Sequence, residues 1–502
     1  MTHFGARRRA HSFSAPVNPY LGACMQIQDH SRVHIHAVAG AAAAVADDWA
    51  RSSVHARAAL LRALAHALDR EREALVAIAD DETSLGSVRL NGEIDRTCFQ
   101  LRGFADHVET GRPFAATDDP AIELAPPAGR PRLTRVRVPL GPVAMFSASN
   151  FPFAFSVLGG DTASALAAGC PVVIKAHPGH PMLSRRVFEL ACTVLAEQAL
   201  PAALLGMVEG AGVDVGTELV KHPDIAAVAF TGSFSGGTAL WHVANARPRP
   251  IPFYGELGSI NPVVALPSAL ATRGDALAHA LAASIAFGAG QACTSPGLVV
   301  LLEGDDARRF EETLRHALSA TRMHRMLTPG IKRSFDAGAA RLLATPGVQT
   351  VLAGSGDSDE AAAPAPILAS TDAARFIAAP ALHEEVFGPA CLIVRAKSID
   401  EIVAVLGAIG GSLTVTLWGA DDDTADVRRV TRRAMQVAGR VLFGGVPTGV
   451  AVTRSQQHGG PWPASTQPFS TSVGYAAMER FLRPVALQSA PAWLDAQGGR
   501  PL

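Results

Sequence analysis

Pro171-Val-Val-Ile-Lys175 is a short run of branched apolar residues that ends on a lysine. Its length and β-branched content predict a strand buried on both faces. The pattern over Ser184 to Leu200 has helical spacing, and Ala226 to Phe230 is a second buried strand that closes on Thr231-Gly232. Strands alternating with helices predict a parallel sheet with ligands at the carboxyl ends of its strands. Lys175 and Gly232 stand at two such ends. Upstream, Val38 to Val76 has helical spacing, and residues 1 to about 35 have no regular pattern. Val136 to Phe146 predicts a strand pair broken by Pro139-Leu-Gly-Pro142. Downstream the alternation repeats. Asn261 to Ala265 predicts a strand, Gly274 to Gly288 a helix and Gly297 to Leu302 a strand, which makes a second α/β domain. Asp357 to Pro366, rich in Ala and Pro, predicts an exposed loop.

The chain has 502 residues, which sets a prior of about two to four domains. A net charge of −1 gives no electrostatic footprint for nucleic acid or an anionic membrane. Leu140 to Gly160 lacks charge, but Pro142, Asn150, Pro152 and its glycines break any spanning helix. The six cysteines form no C-x-x-C pair and no zinc-type cluster. Free thiols in a large chain with no signal peptide predict a cytoplasmic protein and no metal site.

Two stretches carry chemistry. Phe287-Gly-Ala-Gly-Gln-Ala-Cys293-Thr-Ser-Pro-Gly297 puts a thiol in a run of small residues, where backbone N–H groups can face a developing negative charge. Phe253-Tyr-Gly-Glu256-Leu-Gly-Ser-Ile-Asn-Pro262 lies 37 residues before that cysteine. A carboxylate in this apolar, Gly-flanked setting is expected to have a raised pKa, suited to a general base.

Together these motifs resemble the aldehyde dehydrogenase superfamily. The resemblance extends to Ser149-Asn150-Phe151-Pro152, Val173-Ile-Lys175-Ala-His-Pro178, Phe230-Thr-Gly232-Ser233-Phe-Ser-Gly-Gly237 and Glu384-Glu385-Val-Phe387-Gly-Pro389. It implies an α/β fold. A Rossmann-type cofactor domain spans 23–118 and 142–257, a catalytic domain 258–450, and a small β bridging flap 119–141 and 471–490. In the family the flap pairs with another subunit, so a homodimer or homotetramer is expected. The resemblance makes Cys293 the nucleophile and Glu256 the base. The Asn150 amide and the Cys293 N–H become oxyanion donors. It gives Lys175, Gly232, Ser233, Gly237, Glu385 and Phe387 to an NAD or NADP site, and leaves Glu384 solvated.

Further likenesses select a branch. Phe155-Ser-Val-Leu-Gly-Gly-Asp161 and His458-Gly-Gly-Pro-Trp-Pro-Ala-Ser-Thr466 resemble the α-ketoglutaric semialdehyde (2,5-dioxovalerate) dehydrogenases. The substrate then carries a distal carboxylate. Glu93, Arg96 and Gln100 share one helix face with Arg102 a little round from it, and Arg454 is a further cation. Lys175-Ala-His-Pro lacks the family's ribose-chelating Glu. That leaves room for a 2′-phosphate near Lys175, His177 or His180, whereas Val213-Asp214 stands where NADP-preferring relatives carry Arg. Ala292 and Leu442-Phe-Gly444-Gly445 depart from the family in ways that widen the substrate tunnel. His458 matches a histidine of the NADP-dependent fatty aldehyde dehydrogenases and joins Arg96, Gln100 and Arg102 as a substrate-site candidate, with a loop histidine bonded to backbone as the alternative. Two alternatives stay open: a fatty or broad-specificity aldehyde dehydrogenase, and a cysteine esterase without redox cofactor.

Overall fold

A computed structural model describes residues 29–124, 126, 128–354 and 363–494. Cys24, the start of the 23–118 segment and most of the Asp357–Pro366 loop lie outside the described residues.

The sheet predicted from Pro171–Lys175 is five-stranded and wholly parallel. Its order across the sheet is Leu205–Val208, Val172–Lys175, Val143–Phe146, Ala227–Thr231, Phe253–Glu256. Connections run outward in both directions from Val143–Phe146, so the strand order reverses between it and Ala227–Thr231. The carboxyl ends of those two strands form the crevice where doubly wound sheets bind ligands. One face is covered by Val54–Arg70, Ser87–Glu109, Gly160–Ala168 and Pro181–Glu197, and the other by Arg32–Ala44, Val213–Lys221 and Phe234–Asn245.

The second sheet has seven strands. Ile367–Asp372, Ala390–Ala396, Leu298–Leu302, Val263–Ala265, Ser412–Trp418 and Ala438–Leu442 run parallel, and Gln349–Ala353 is antiparallel at one edge. The long helix Pro267–Ala286 packs on it and delivers the chain to the Cys293 turn. A third, antiparallel sheet joins Thr117–Asp119, Leu133–Pro139 and Leu482–Gln488.

Where boundaries differ from expectation, capping explains the shift. Ser31 caps a helix that starts at Arg32, inside the stretch without a sequence pattern, by accepting from the His34 N–H. Pro181 and Pro267 each start a helix earlier than periodicity suggested, because proline at the first helical position forfeits no hydrogen bond. No described helix is long and apolar enough to cross a membrane.

Candidate active site

Glu256 ends the outermost strand of the five-stranded sheet, and Cys293 sits in the turn that follows Pro267–Ala286. That turn is left-handed at Gly288, Ala289 and Gly290. At Gly290 only glycine fits: a Cβ there would stand 2.1 Å from the Gly388 carbonyl carbon. The close approach locks the Cys293 turn against the loop that carries Glu385 and Phe387.

Cys293, Glu256 and His458 converge, with their ligating atoms all within 4.8 Å of one another. The Cys293 Sγ is 3.7 Å from His458 Nε2, and the same nitrogen is 3.1 Å from Glu256 Oε1. The Ser472 hydroxyl donates to Glu256 Oε2. His458, a substrate-site candidate from the sequence, is in contact with the thiol and fully buried. The expected raised pKa of Glu256 is also corrected. Burial opposes its charge, but the His458 ring, the Ser472 hydroxyl and the Cys293 thiol outweigh burial and hold the carboxyl below its usual range. Burial first, and then the Glu256 carboxylate, push the Cys293 thiol well above its ordinary value. The resting pair is thus a carboxylate beside a protonated thiol.

Asn150 is buried, and its amide donates to the Gln291 carbonyl at 3.0 Å, two residues before the thiol. That bond leaves its second amide hydrogen free. The Cys293 N–H makes no hydrogen bond among the described residues. Asn261 anchors the turn from behind. Its side-chain amide donates to the carbonyls of Cys293 (2.8 Å) and Ser295 (3.0 Å), while its Oδ1 accepts from the Ser259 and Thr414 hydroxyls.

The helix Ser87–Glu109 aims Arg89, Glu93, Arg96 and Gln100 at this region. Glu93 accepts from the Phe153 and Ala154 N–H groups, and Arg89 donates to the Asn150 carbonyl at 2.6 Å. Arg96 lies over the rings of Phe151 and Phe155. Its buried Nε and Nη2 have no hydrogen-bond partner, and it feels the charges of Cys293, Glu93 and Glu256. Burial lowers its pKa. Gln100 is buried, with Nε2 likewise unpartnered. Arg102 is not brought here. It pairs with Asp69 on the outside, because two residues further along a helix turn the side chain by about 200°. Arg454 is also exposed.

At the crevice between the central strands, Ser147 Oγ and Thr231 Oγ1 are buried without partners. A Cβ at Gly232 or Gly237 would stand 2.8 Å from the Phe230 ring or 2.2 Å from Leu257, so close packing against those side chains requires glycine at both positions. Ser233 caps the following helix by accepting from the Gly236 N–H. Lys175 donates to the carbonyls of Gly210 (2.6 Å) and Ala176, and burial lowers its pKa to about 8. Neither nearby histidine is a cation. Both ring nitrogens of His180 are engaged by Ser184 and the Ala148 carbonyl, and burial drives the His177 pKa well down. The Asp29 carboxylate accepts from the Ala211 and Gly212 N–H groups. Glu385 lies against Gly258, its carboxyl pushed up to about 8 by burial, and Phe387 lies beside it in the same cavity wall. Glu384 is exposed, 3.6 Å from Arg341.

Arg89, Asn261, Asp29 and Ser472 are not singled out by the sequence reading above. Arg89 lies seven before Arg96 on the same helix face, and Asn261 adjoins Pro262 in the Glu256 stretch, so both carried a signal. Asp29 and Ser472 carried none, being distant in sequence from Lys175 and Glu256 respectively.

Residues 9–461 match the aldehyde dehydrogenase family. Alpha-ketoglutaric semialdehyde dehydrogenase 2 of Azospirillum brasilense is 46% identical over 452 residues, covering 90% of this chain and 86% of its own. The alpha-ketoglutaric semialdehyde dehydrogenase of Acinetobacter baylyi is 37% identical over 433 residues, 86% and 82% of the two chains. A solved NAD-dependent aldehyde dehydrogenase from Sinorhizobium meliloti shares the fold, with a TM-score of 0.77, 23% identity and coverage of 93% and 89%.

Proposed function

Because this chain belongs to the aldehyde dehydrogenase family, whose members oxidise aldehydes with NAD(P), we propose that it oxidises α-ketoglutaric semialdehyde (2,5-dioxopentanoate) to 2-oxoglutarate. The observation that carries the substrate is Arg96, a guanidinium with two buried, unpartnered nitrogens beside the thiol. An unpaired buried cation is costly unless a ligand supplies the anion. The names of the two relatives support the same substrate.

Cys293 adds to the aldehyde carbon, its proton passing to Glu256, and a thiohemiacetal forms. The free hydrogen of the Asn150 amide and the Cys293 N–H face the resulting oxyanion. NAD(P), when bound, would supply the two-electron acceptor for oxidation of this adduct to a thioester. With that first proton released to solvent, the Glu256 carboxylate takes a proton from the water that attacks the thioester; the Cys293 thiolate leaves and regains the proton, and the acid is freed. His458 and Ser472 hold the Glu256 carboxylate in line for both proton transfers.

The dinucleotide fits the crevice between the central strands. Ser147 and Thr231 offer it two orphaned hydroxyls, the helix capped by Ser233 begins just beyond Thr231, and Lys175 ends the strand next to Val143–Phe146. Either NAD or NADP is accepted: Lys175 suits a 2′-phosphate, while Asp29 opposes one. The free thiols among the described residues support a reducing, cytoplasmic setting. The open edges Leu482–Gln488 and Ala438–Leu442 support a homodimer or homotetramer, which light scattering tests.

The substrate is tested by kcat/KM for 2,5-dioxopentanoate, pentanal and a long-chain fatty aldehyde, with each cofactor. The semialdehyde should lead, and Arg96→Ala should cost it roughly ten- to a hundred-fold while sparing pentanal. Equal losses on both, or a preference for the fatty aldehyde, would move the chain to the fatty aldehyde branch.

A further inference from the structure

The Cys293, His458 and Glu256 donors do more than arrange proton transfer. One thiol sulfur, one imidazole nitrogen and one carboxylate oxygen form a mixed soft and borderline donor set on three separate segments. Ligand atoms around a tetrahedral zinc ion stand about 3.3–3.6 Å apart, as follows from bonds of about 2.3 Å to sulfur and about 2.0–2.2 Å to nitrogen and oxygen. Here sulfur and nitrogen are 3.7 Å apart, nitrogen and oxygen 3.1 Å, and all three lie within 4.8 Å. It is the sole such group among the described residues.

We infer that this site takes a zinc-like divalent ion as a reversible inhibitor, bound by Cys293 Sγ, His458 Nε2 and Glu256 Oε1, with water in the fourth position. The inference rests on Cys293 and Glu256 being the reacting groups of the proposed reaction and adds a regulation of that site. The ion binds the thiolate, so the thiol proton leaves to solvent, and no bond to carbon is made or broken. A dication, a thiolate, a carboxylate and a neutral ring sum to zero charge, which suits a buried place better than a lone carboxylate. The donor set favours zinc over magnesium or calcium, which want an all-oxygen shell.

Two features support the assignment. The Ser472 hydroxyl holds the second oxygen of Glu256, as outer-shell donors orient metal-binding carboxylates. The buried His458 Nδ1 has no partner and is free to carry the ring proton when Nε2 binds the ion. Two features oppose it. The guanidiniums of Arg96 and Arg440 lie within electrostatic reach of Cys293, and the empty Nδ1 partner position leaves the ring less firmly oriented. Binding is therefore reversible inhibition rather than a permanent structural centre.

Cobalt(II) alone, added to the full chain without cofactor, tests this. A near-ultraviolet thiolate-to-cobalt band should appear, disappear in Cys293→Ser, and weaken in His458→Gln and Glu256→Gln; zinc should bleach it. In the unaltered protein, zinc should slow iodoacetamide alkylation of the Cys293 peptide by about ten-fold or more, since the bound thiolate is no longer free, and should stop aldehyde oxidation until a chelator is added. No band, a band that survives in Cys293→Ser, or alkylation indifferent to zinc overturns the inference while leaving the dehydrogenase reading intact. A thiolate band in a protein that oxidises no aldehyde overturns the dehydrogenase reading instead.

Discussion

Burial and the Glu256 carboxylate both hold the Cys293 thiol in its protonated form, while contacts with His458, Ser472 and the thiol keep Glu256 charged. A thiol pKa above its ordinary value means a small thiolate fraction at neutral pH that grows as pH rises. The kcat/KM for aldehyde should therefore climb from pH 7 into the alkaline range. Glu256→Gln removes one of the two causes, so alkylation of Cys293 should shift to lower pH in that variant, while turnover shows a burst of reduced cofactor and then a slow phase. Unchanged alkylation would mean that burial alone sets the thiol. Lys175 titrates near 8, so a cofactor held by its charge should bind more weakly above that pH. The KM for NADP should rise from pH 7.5 to 9 more than the KM for NAD, and Asp29→Asn should improve NADP relative to NAD.

The helix Ser87–Glu109 shows how far spacing can carry a site. Its 3.6-residue period correctly grouped Glu93, Arg96 and Gln100, because a straight helix fixes which side chains share a face. The same period turns Arg102 about 200° from Gln100, off that face, where it meets Asp69 of Val54–Arg70. Arg102→Ala should therefore leave kcat/KM within about two-fold, an exposed ion pair contributing roughly 0.2–1 kcal/mol. Val143–Phe146, Val172–Lys175, Ala227–Thr231, Val263–Ala265 and Leu298–Leu302 were legible because buried parallel strands are continuous apolar runs, whereas Leu205–Val208, Phe253–Glu256 and the strands between 367 and 442 were not read from the sequence. The pairing of Glu256 with Cys293 came from the family resemblance, but the place of His458 between them was not legible, because nothing local reports that segments so far apart in sequence meet. At the Cys293 turn, Gly290→Ala must push two backbone segments apart. The variant should lose most activity and melt at lower temperature, a clash of this kind costing about 1–3 kcal/mol before any φ strain is added.

Across the described residues, the two parallel sheets contribute different halves of the proposed reaction centre. The five-stranded sheet supplies the crevice, with Glu256 at the end of one of its strands, and the seven-stranded sheet supports the cysteine turn. A ligand that bridges them should tie their melting together. Saturating NAD or NADP at about 100 Kd should add about 2.7 kcal/mol to the stability of the unit that binds it. Differential scanning fluorimetry with each dinucleotide would show which one raises the melting temperature more. No shift with either would contradict the crevice assignment.

Asn261 ties that arrangement together and limits how the protein can vary. It is fully buried with a left-handed backbone, and its one side chain must donate to two carbonyls while accepting from two hydroxyls. Glycine would satisfy the backbone and forfeit the amide. Aspartate would keep the shape and repel the carbonyls it has to grip. Glutamine would place the same group one methylene too far. A saturation library at position 261, sorted first for folded protein and then for turnover, should accordingly return asparagine almost alone, marking a fixed point around which the rest of the pocket is free to be re-engineered.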